Sequence, residues 1–428
     1  MSGTTHIVGL GVAGLSAAVR LAERGLPVTL YDGAKVAGGR CRSFHDARLD
    51  CAIDNGNHLL LSGNRSALSY LDLLGARDEL EIQPDARFDF VDLESGERWQ
   101  VALNRGALPL WLLDREKSIP GVRLRDYASA LRFPFASQTA TIDGLSKSRT
   151  STRTNGKDML YQRFWEPMSW AVLNTTPDRA SARLMWAVLR ETFARGGAAC
   201  RPMIARRGLS ETFVDPALAY LAARKIQPFF NEPLKEIGIE GDRITRLDFA
   251  ERSVLITPAD RVILALPRAQ MAKLMPEISV PDGDAAIVNA HFRMQEPLTG
   301  AQAVPLLGLV NARTHWIFTR GAIISLTISA ADALGLDRLP EEEFLPLLWD
   351  EVKVALRLPA EASYAAARLI RERRATFDQS PASVAKRPKT RTAFENLYLA
   401  GDWTDTGLPA TIEGAIRSGA MAAKAISK

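Results

Sequence analysis

A chain of 428 residues suggests roughly two or three domains, or one large domain with insertions. Hydrophobic residues make up 46% and charged residues 24%, which excludes a disordered, collagen-like or purely repetitive protein. The net charge is a modest +5, and the cysteines Cys41, Cys51 and Cys200 are odd in number and lack metal-ligand spacing, so no metal site and a reducing, cytoplasmic setting are expected. No run of about 20 apolar residues reads as a membrane span. The amino-terminal segment MSGTTHIVGLG has no basic flank, apolar run and cleavage site in sequence, so no signal peptide is expected.

The first predicted unit is strand–turn–helix–strand. Thr5 to Val8 reads as a short strand, and Gly9-Leu10-Gly11-Val12-Ala13-Gly14 follows at once. Leu15, Ala18, Val19 and Ala22 then recur at helical spacing, and Gly25 fits the stop. Pro27 to Tyr31 is the second strand, closed by Asp32. Each part has a physical use in binding a dinucleotide. Gly9 permits the tight turn, Gly11 lets a pyrophosphate approach the backbone, and Gly14 lets helix pack on strand. The helix start at Val12 and Ala13 offers unpaired N–H groups to phosphate. Asp32 is placed for ribose hydroxyls and would repel a 2′-phosphate, which leaves FAD or NAD. Gly38-Gly39-Arg40 adds a second close approach to an anionic cofactor and favours FAD. No further G-x-G-x-x-G follows downstream, so a separate nicotinamide site is not expected.

Residues 105–163 hold eleven Lys or Arg against five Asp or Glu, and they include Ala107-Leu108-Pro109-Leu110-Trp111-Leu112-Leu113. Basic charge beside an apolar, Trp-containing run is the composition of a membrane-surface contact. A solvated face beside a core segment is the plainer alternative. No helix-turn-helix, zinc or RNA-binding motif accompanies the charge, so a nucleic-acid partner is not expected. Ser146 to Lys157 is unusually polar and is expected to be a mobile loop near the pocket entrance.

Near the carboxyl terminus, Asn396 to Ala400 reads as a buried strand with Gly401-Asp402 at its carboxyl end, where open α/β sheets place ligands. Asp402 is a candidate for the ribityl or phosphate end of the cofactor. Thr411 to Ala420 reads as a helix of small residues, and its start at Thr411 and Ile412 could stabilise negative charge on a flavin ring.

Together, Gly9 to Asp32, Gly38-Gly39-Arg40 and Gly401-Asp402 resemble the flavin amine oxidase and carotenoid desaturase superfamily. Arg207-Gly208-Leu209-Ser210-Glu211 and Asp260 to Pro267 resemble its returns into the cofactor domain. Asp54-Asn55-Gly56-Asn57-His58, Phe164-Trp165-Glu166-Pro167, Leu173-Asn174-Thr175 and Asn289-Ala290-His291-Phe292-Arg293 are similar to the squalene-associated members. Asp32 departs from the Glu usual in the superfamily.

The resemblance implies an α/β fold: a Rossmann-type FAD-binding domain (1–80, 205–270 and 388–428) with an inserted α+β substrate domain (81–204 and 271–387). From its composition, the basic, Trp-containing stretch 105–163 is the candidate membrane-facing region, which would place the protein peripherally on the inner membrane. The resemblance also implies noncovalent FAD, there being no cysteine near Gly401 to Gly419 for a covalent link. The implied reaction is reduction of hydroxysqualene to squalene in hopanoid precursor synthesis. The partners would be a long apolar isoprenoid and an external electron donor, NADPH or a protein.

That reaction needs an acid to protonate a poor leaving group. Glu166, in an apolar Phe-Trp-Glu-Pro setting, and His58, on a Gly-containing loop, are the candidates. The alternatives are a helix-start carboxylate and a structural histidine. Asn174 is a candidate for the substrate hydroxyl, with a turn or cap role as the alternative. Phe164, Trp165 and Trp170 could line an isoprenoid tunnel or simply form core. An isoprenoid desaturase and a flavin-free isoprenoid carrier remain open as competing functions.

Overall fold

The computed structural model describes residues 3–147, 153–154 and 157–427. Much of the polar stretch 146–157, expected to be a mobile loop, lies outside the described residues.

The first strand, Thr5–Val8, forms the middle of a five-stranded parallel sheet. The strand order across this sheet is Pro228–Phe229, Val28–Tyr31, Thr5–Val8, Arg261–Leu264 and Leu397–Leu399. Its buried residues are mostly β-branched or bulky and apolar, as a parallel sheet covered on both faces requires. Side chains alternate between the faces. Ile7, Leu30, Ile263 and Tyr398 pack with Leu15, Val19 and Ile416 on one side. Val8, Tyr31, Val262, Leu264 and Leu399 pack with Ile244, Leu247 and Met271 on the other. There the cover includes the antiparallel strands Glu236–Glu240, Arg243–Asp248 and Ser253–Leu255.

The helices Val12–Glu23 and Ile412–Ile426 lie against each other on the first face. Small residues allow this approach, since a Cβ on Gly419 would stand 2.0 Å from the Ala13 carbonyl oxygen. Ser16 ties the pair together by donating to the Ile416 carbonyl at 2.9 Å. The predicted helix stop is also met, with Gly25 at φ +68° just beyond the last turn.

A second, seven-stranded sheet is ordered Ala366–Phe377, Asp284–Arg293, Ile323–Ile328, Trp316–Arg320, Leu306–Val310, Arg87–Asp92 and Arg98–Ala102. It is antiparallel except where Leu306–Val310 pairs with Arg87–Asp92. Val288, Ala290 and Phe292, with Leu326 and Ile328, face the helix Glu341–Leu356. The intervening Asn289 and His291 point the other way, as do Ser325 and Thr327. These four polar side chains are nonetheless buried. A third cluster gathers the mainly helical segments between Leu110 and Leu189 around Phe133, Trp165 and Leu184. Among the described residues, no helix is long and apolar enough to cross a membrane.

Candidate active site

At the carboxyl ends of the parallel strands the chain turns at Gly9, at Asp32 and at Gly401. Gly9 has φ +97°, a conformation that L side chains rarely adopt. The turn then enters Val12–Glu23 with Gly11 as its capping residue. A Cβ on Gly14 would stand 1.9 Å from the Gly9 carbonyl oxygen, so this position must be glycine for the turn to close. Asp32 braces the same turn. Its carboxylate accepts from Leu10 N at 2.6 Å and from Ala34 N at 2.8 Å. Burial pushes the Asp32 pKa up, and these two N–H donors pull it back. Each oxygen keeps lone-pair capacity for ribose hydroxyls.

Gly38 and Gly39 come round to face Gly11, with φ of +104° and +57°. Gly11 and Gly38 are bridged as if in a parallel ladder, and Gly38 N donates to Leu10 O at 2.8 Å. The next residue, Arg40, reaches the far end of the chain and binds Asp402 at 2.7 Å. It also donates to the Ala375 carbonyl on an outer strand of the seven-stranded sheet. The Asp402 carboxylate raises the Arg40 pKa above its usual value, outweighing the cost of burial. Arg40 and Asp402, each a candidate cofactor contact, are not independent. In the structure they form one ion pair, which closes the ring of glycine turns.

The Gly401 turn, at φ +140°, is held from two sides. Gly401 N donates to Ser418 Oγ at 2.7 Å. Arg387, buried, donates to the carbonyls of Leu408, Asp402 and Thr404. Burial lowers the Arg387 pKa to about 10, which still leaves it charged. Thr411 caps the last helix by accepting from Gly414 N at 3.1 Å. The first-turn N–H groups at Ile412 and Glu413 have no intrahelical acceptor, as at any helix start. Glu413 is turned away; its carboxylate accepts from Ser66 N and Ala67 N and pairs with Arg417.

Above the glycine turns lies the polar face of the seven-stranded sheet. Asn57 donates to Thr327 Oγ1 at 3.1 Å, and Thr327 donates to Asn289 Oδ1 at 3.0 Å. His291 Nδ1 is 2.8 Å from Ser325 Oγ, while its Nε2 has no protein partner. Asp54 pairs with Arg320 at 3.3 Å and accepts from Ser43 Oγ and Leu209 N. His58 projects beside Gly56 and Asn289. It is half-buried, and Arg40 is exposed. Burial lowers the His58 pKa to about 4, against the opposing pull of Asp54 and with a smaller push from Arg40.

The remaining candidates lie on the helix Glu166–Leu173 and at its two ends. Glu166 is half-buried and begins the helix Glu166–Leu173, with Pro167 in its first turn. Asn174 is buried with φ +47°; it donates to Thr376 Oγ1 at 3.1 Å and accepts from Ala330 N at 2.6 Å. Its carboxamide thus ties a helix end to the Ala366–Phe377 strand. Trp165 is fully buried and stacks on Phe133 at 4.4 Å. Phe164 packs edge-on to it, while Trp170 stacks on His315 at 4.2 Å in a separate pocket with Leu334 and Leu336. Sequence reasoning did not single out Arg387, Arg320, Ser325 or Thr327. The alternation Val288-Asn289-Ala290-His291-Phe292 was the available signal that one sheet face is polar.

Comparison with known proteins agrees with this geometry. Residues 12–427 match the family described as flavin containing amine oxidoreductase. A hydroxysqualene dehydroxylase from Rhodopseudomonas palustris is 43% identical over 99% of this chain and 98% of its own. One from Sinorhizobium fredii is 41% identical over 99% and 98%. Among solved structures, an oxidoreductase from Methanosarcina mazei superposes with a TM-score of 0.70 at 15% identity, covering 99% of this chain and 100% of that one. At that identity the likeness speaks to the fold alone.

Proposed function

The chain belongs to the flavin-containing amine oxidoreductase family, and on that premise we propose that it reduces hydroxysqualene to squalene. The observation that carries this reading is the near full-length identity of 43% to a hydroxysqualene dehydroxylase, joined to an intact glycine cradle. It is an FAD-dependent oxidoreductase. The cradle fits the cofactor on its own terms: Gly11 and Gly39 leave the backbone bare, and Asp32 retains acceptor capacity. Gly9 to Gly14 would hold the pyrophosphate, Asp32 the ribose, and Arg40, Asp402 and the Thr411–Ile412 helix start the flavin end. Noncovalent binding is part of the proposal.

Removing an allylic hydroxyl requires a proton for the departing oxygen, so that water leaves rather than hydroxide. The resulting allylic cation must be shielded from bulk water until it is quenched. FAD, when bound in its reduced form, supplies the hydride that replaces the hydroxyl. The chain's own residues hold the substrate and manage the proton. His58, neutral at pH 7 with a pKa near 4, orients the hydroxyl through a hydrogen bond rather than by donating a full proton charge. Glu166 is the proposed proton donor. Glu166→Gln is therefore expected to lower kcat by about 100-fold or more. His58→Gln is expected to raise KM with a smaller loss of kcat. Steady-state rates across pH 5 to 9 check both.

Electrons must reach the flavin from outside, through transient NADPH binding or a partner protein. A protein lying peripherally on the inner face of the cell membrane would meet its apolar isoprenoid there. The direction of the reaction has its own test. Under anaerobic conditions, hydroxysqualene added to the reduced flavoprotein should restore the yellow absorbance of oxidised flavin. Bleaching of oxidised flavin by a saturated isoprenoid segment would instead indicate desaturation. A colourless protein that cannot be loaded with FAD would indicate a carrier.

A further inference from the structure

We infer that the outer face of residues 108–135 docks on an anionic lipid bilayer. Among the described residues, thirteen large hydrophobic side chains are exposed, and six of them fall in this short stretch: Leu108, Leu110, Leu113, Leu124, Leu131 and Phe135. Leu131 is 73% and Phe135 87% exposed, so water covers most of both. Clustering of this kind marks an interaction surface, whereas isolated exposed leucines are ordinary.

The segments carrying these side chains are held together from beneath. Leu110–Leu113 and Leu124–Phe135 are short helical turns that bury Trp111, Asp126, Ser129 and Phe133. The Trp111 and Tyr127 rings meet edge-on at 6.0 Å, and Phe133 stacks on Trp165. The leucines and Phe135 are thus presented by a folded base and are not a loose loop. The structure also changes the residue assignment made from composition. Trp111 is buried, so the aliphatic side chains and Phe135 would enter the lipid.

Charge selects the occupant. Within 105–135 the exposed cations are Arg105, Arg115, Lys117, Arg123, Arg125 and Arg132, against Asp114, Glu116 and Asp126, a net of +3. Asp126 is itself buried, which leaves the rim still more positive at its surface. A second copy of this chain would bring a like-charged rim against this one. An anionic headgroup layer complements it, and the apolar centre matches the acyl boundary. The inference deepens the function proposed above, on which it rests for its purpose, because a squalene-like substrate partitions into bilayers.

Vesicle flotation of the full-length, flavin-loaded protein tests this without turnover, so its outcome is independent of the reaction assigned. The protein is expected to float with phosphatidylcholine–phosphatidylglycerol vesicles, weakly with phosphatidylcholine alone, and less as salt rises. Leu131→Ser/Phe135→Ser should cut the bound fraction by about tenfold or more. Arg115→Glu/Arg125→Glu should remove the preference for the anionic vesicles. Circular dichroism and flavin content should be unchanged in both, since these side chains point to solvent. Failure of the parent protein to float, or flotation unaffected by both variants, overturns the inference. So does a vesicle-indifferent dimer that the Leu131→Ser/Phe135→Ser change dissociates, since a second copy would then be the occupant.

Discussion

Gly11→Val is expected to yield a folded protein that has lost its flavin. Gly11 sits at φ −64° and ψ 173°, an extended conformation that valine accepts. A Cβ there meets only the Gly38 carbonyl oxygen, at 3.9 Å, so nothing in the fold resists it. The added side chain would instead fill the open side of the turn, facing Gly39. It would keep phosphate from the helix start, where unpaired N–H groups and the dipole favour an anion. Binding should weaken by about 3 kcal/mol or more, over 100-fold. Flavin-to-protein absorbance ratios and titration with FAD measure this, with circular dichroism as the control. Gly14→Val makes the contrasting case. Its Cβ would stand 1.9 Å from a backbone oxygen, so loss of soluble protein is expected rather than loss of cofactor alone. Normal flavin content in Gly11→Val would mean that the turn is not the cofactor cradle.

The second large effect concerns acid stability. His291 and His315 are 1% and 3% exposed, and burial lowers their pKa values to about 4 and about 3. His291 also feels Asp54 and Asp46, which oppose the shift, and Arg320, which adds to it. For His315 burial is the sole cause. Both are neutral in the fold, whereas in the unfolded chain each takes a proton near pH 6.5. The unfolded state therefore binds more protons as pH falls below that value, and stability drops. The contribution is complete above pH 6.5 and is lost progressively down through the folded-state values. Its size is on the order of 3 kcal/mol for each residue, a large share of a typical folding free energy. Urea midpoints should accordingly fall between pH 7 and pH 5, before most carboxylates titrate. His291→Asn and His315→Asn should each flatten that fall, even though they lower stability at pH 7. Midpoints that hold constant across this window would contradict the account.

The amino-terminal unit was legible because its constraints are local. The glycines around Gly11, the helical spacing after Leu15 and the apolar run before Asp32 each specify one conformation over a few residues. The structure places the strands at Thr5–Val8 and Val28–Tyr31 with the helix between them. Leu397–Leu399 and Ile412–Ile426 follow for the same reason. What local pattern could not supply was pairing across the chain. Arg40 meets Asp402 and Asp54 meets Arg320 over hundreds of positions, so neither pairing shows in the local pattern. Arg387 sits in a basic stretch that reads as solvated surface, yet it is buried and bonded to three carbonyls. Asn174 and Trp165 show the converse. Their types suit a substrate pocket, but protein groups occupy the Asn174 carboxamide and Trp165 is enclosed by core aromatics.

Product analysis decides the central claim. The FAD-loaded protein, a chemical reductant and hydroxysqualene, mixed without oxygen, should give squalene and water, one squalene for each hydride equivalent consumed. Recovery of unreacted hydroxysqualene from a fully reduced, flavin-replete protein, or a product carrying an additional double bond, would contradict it.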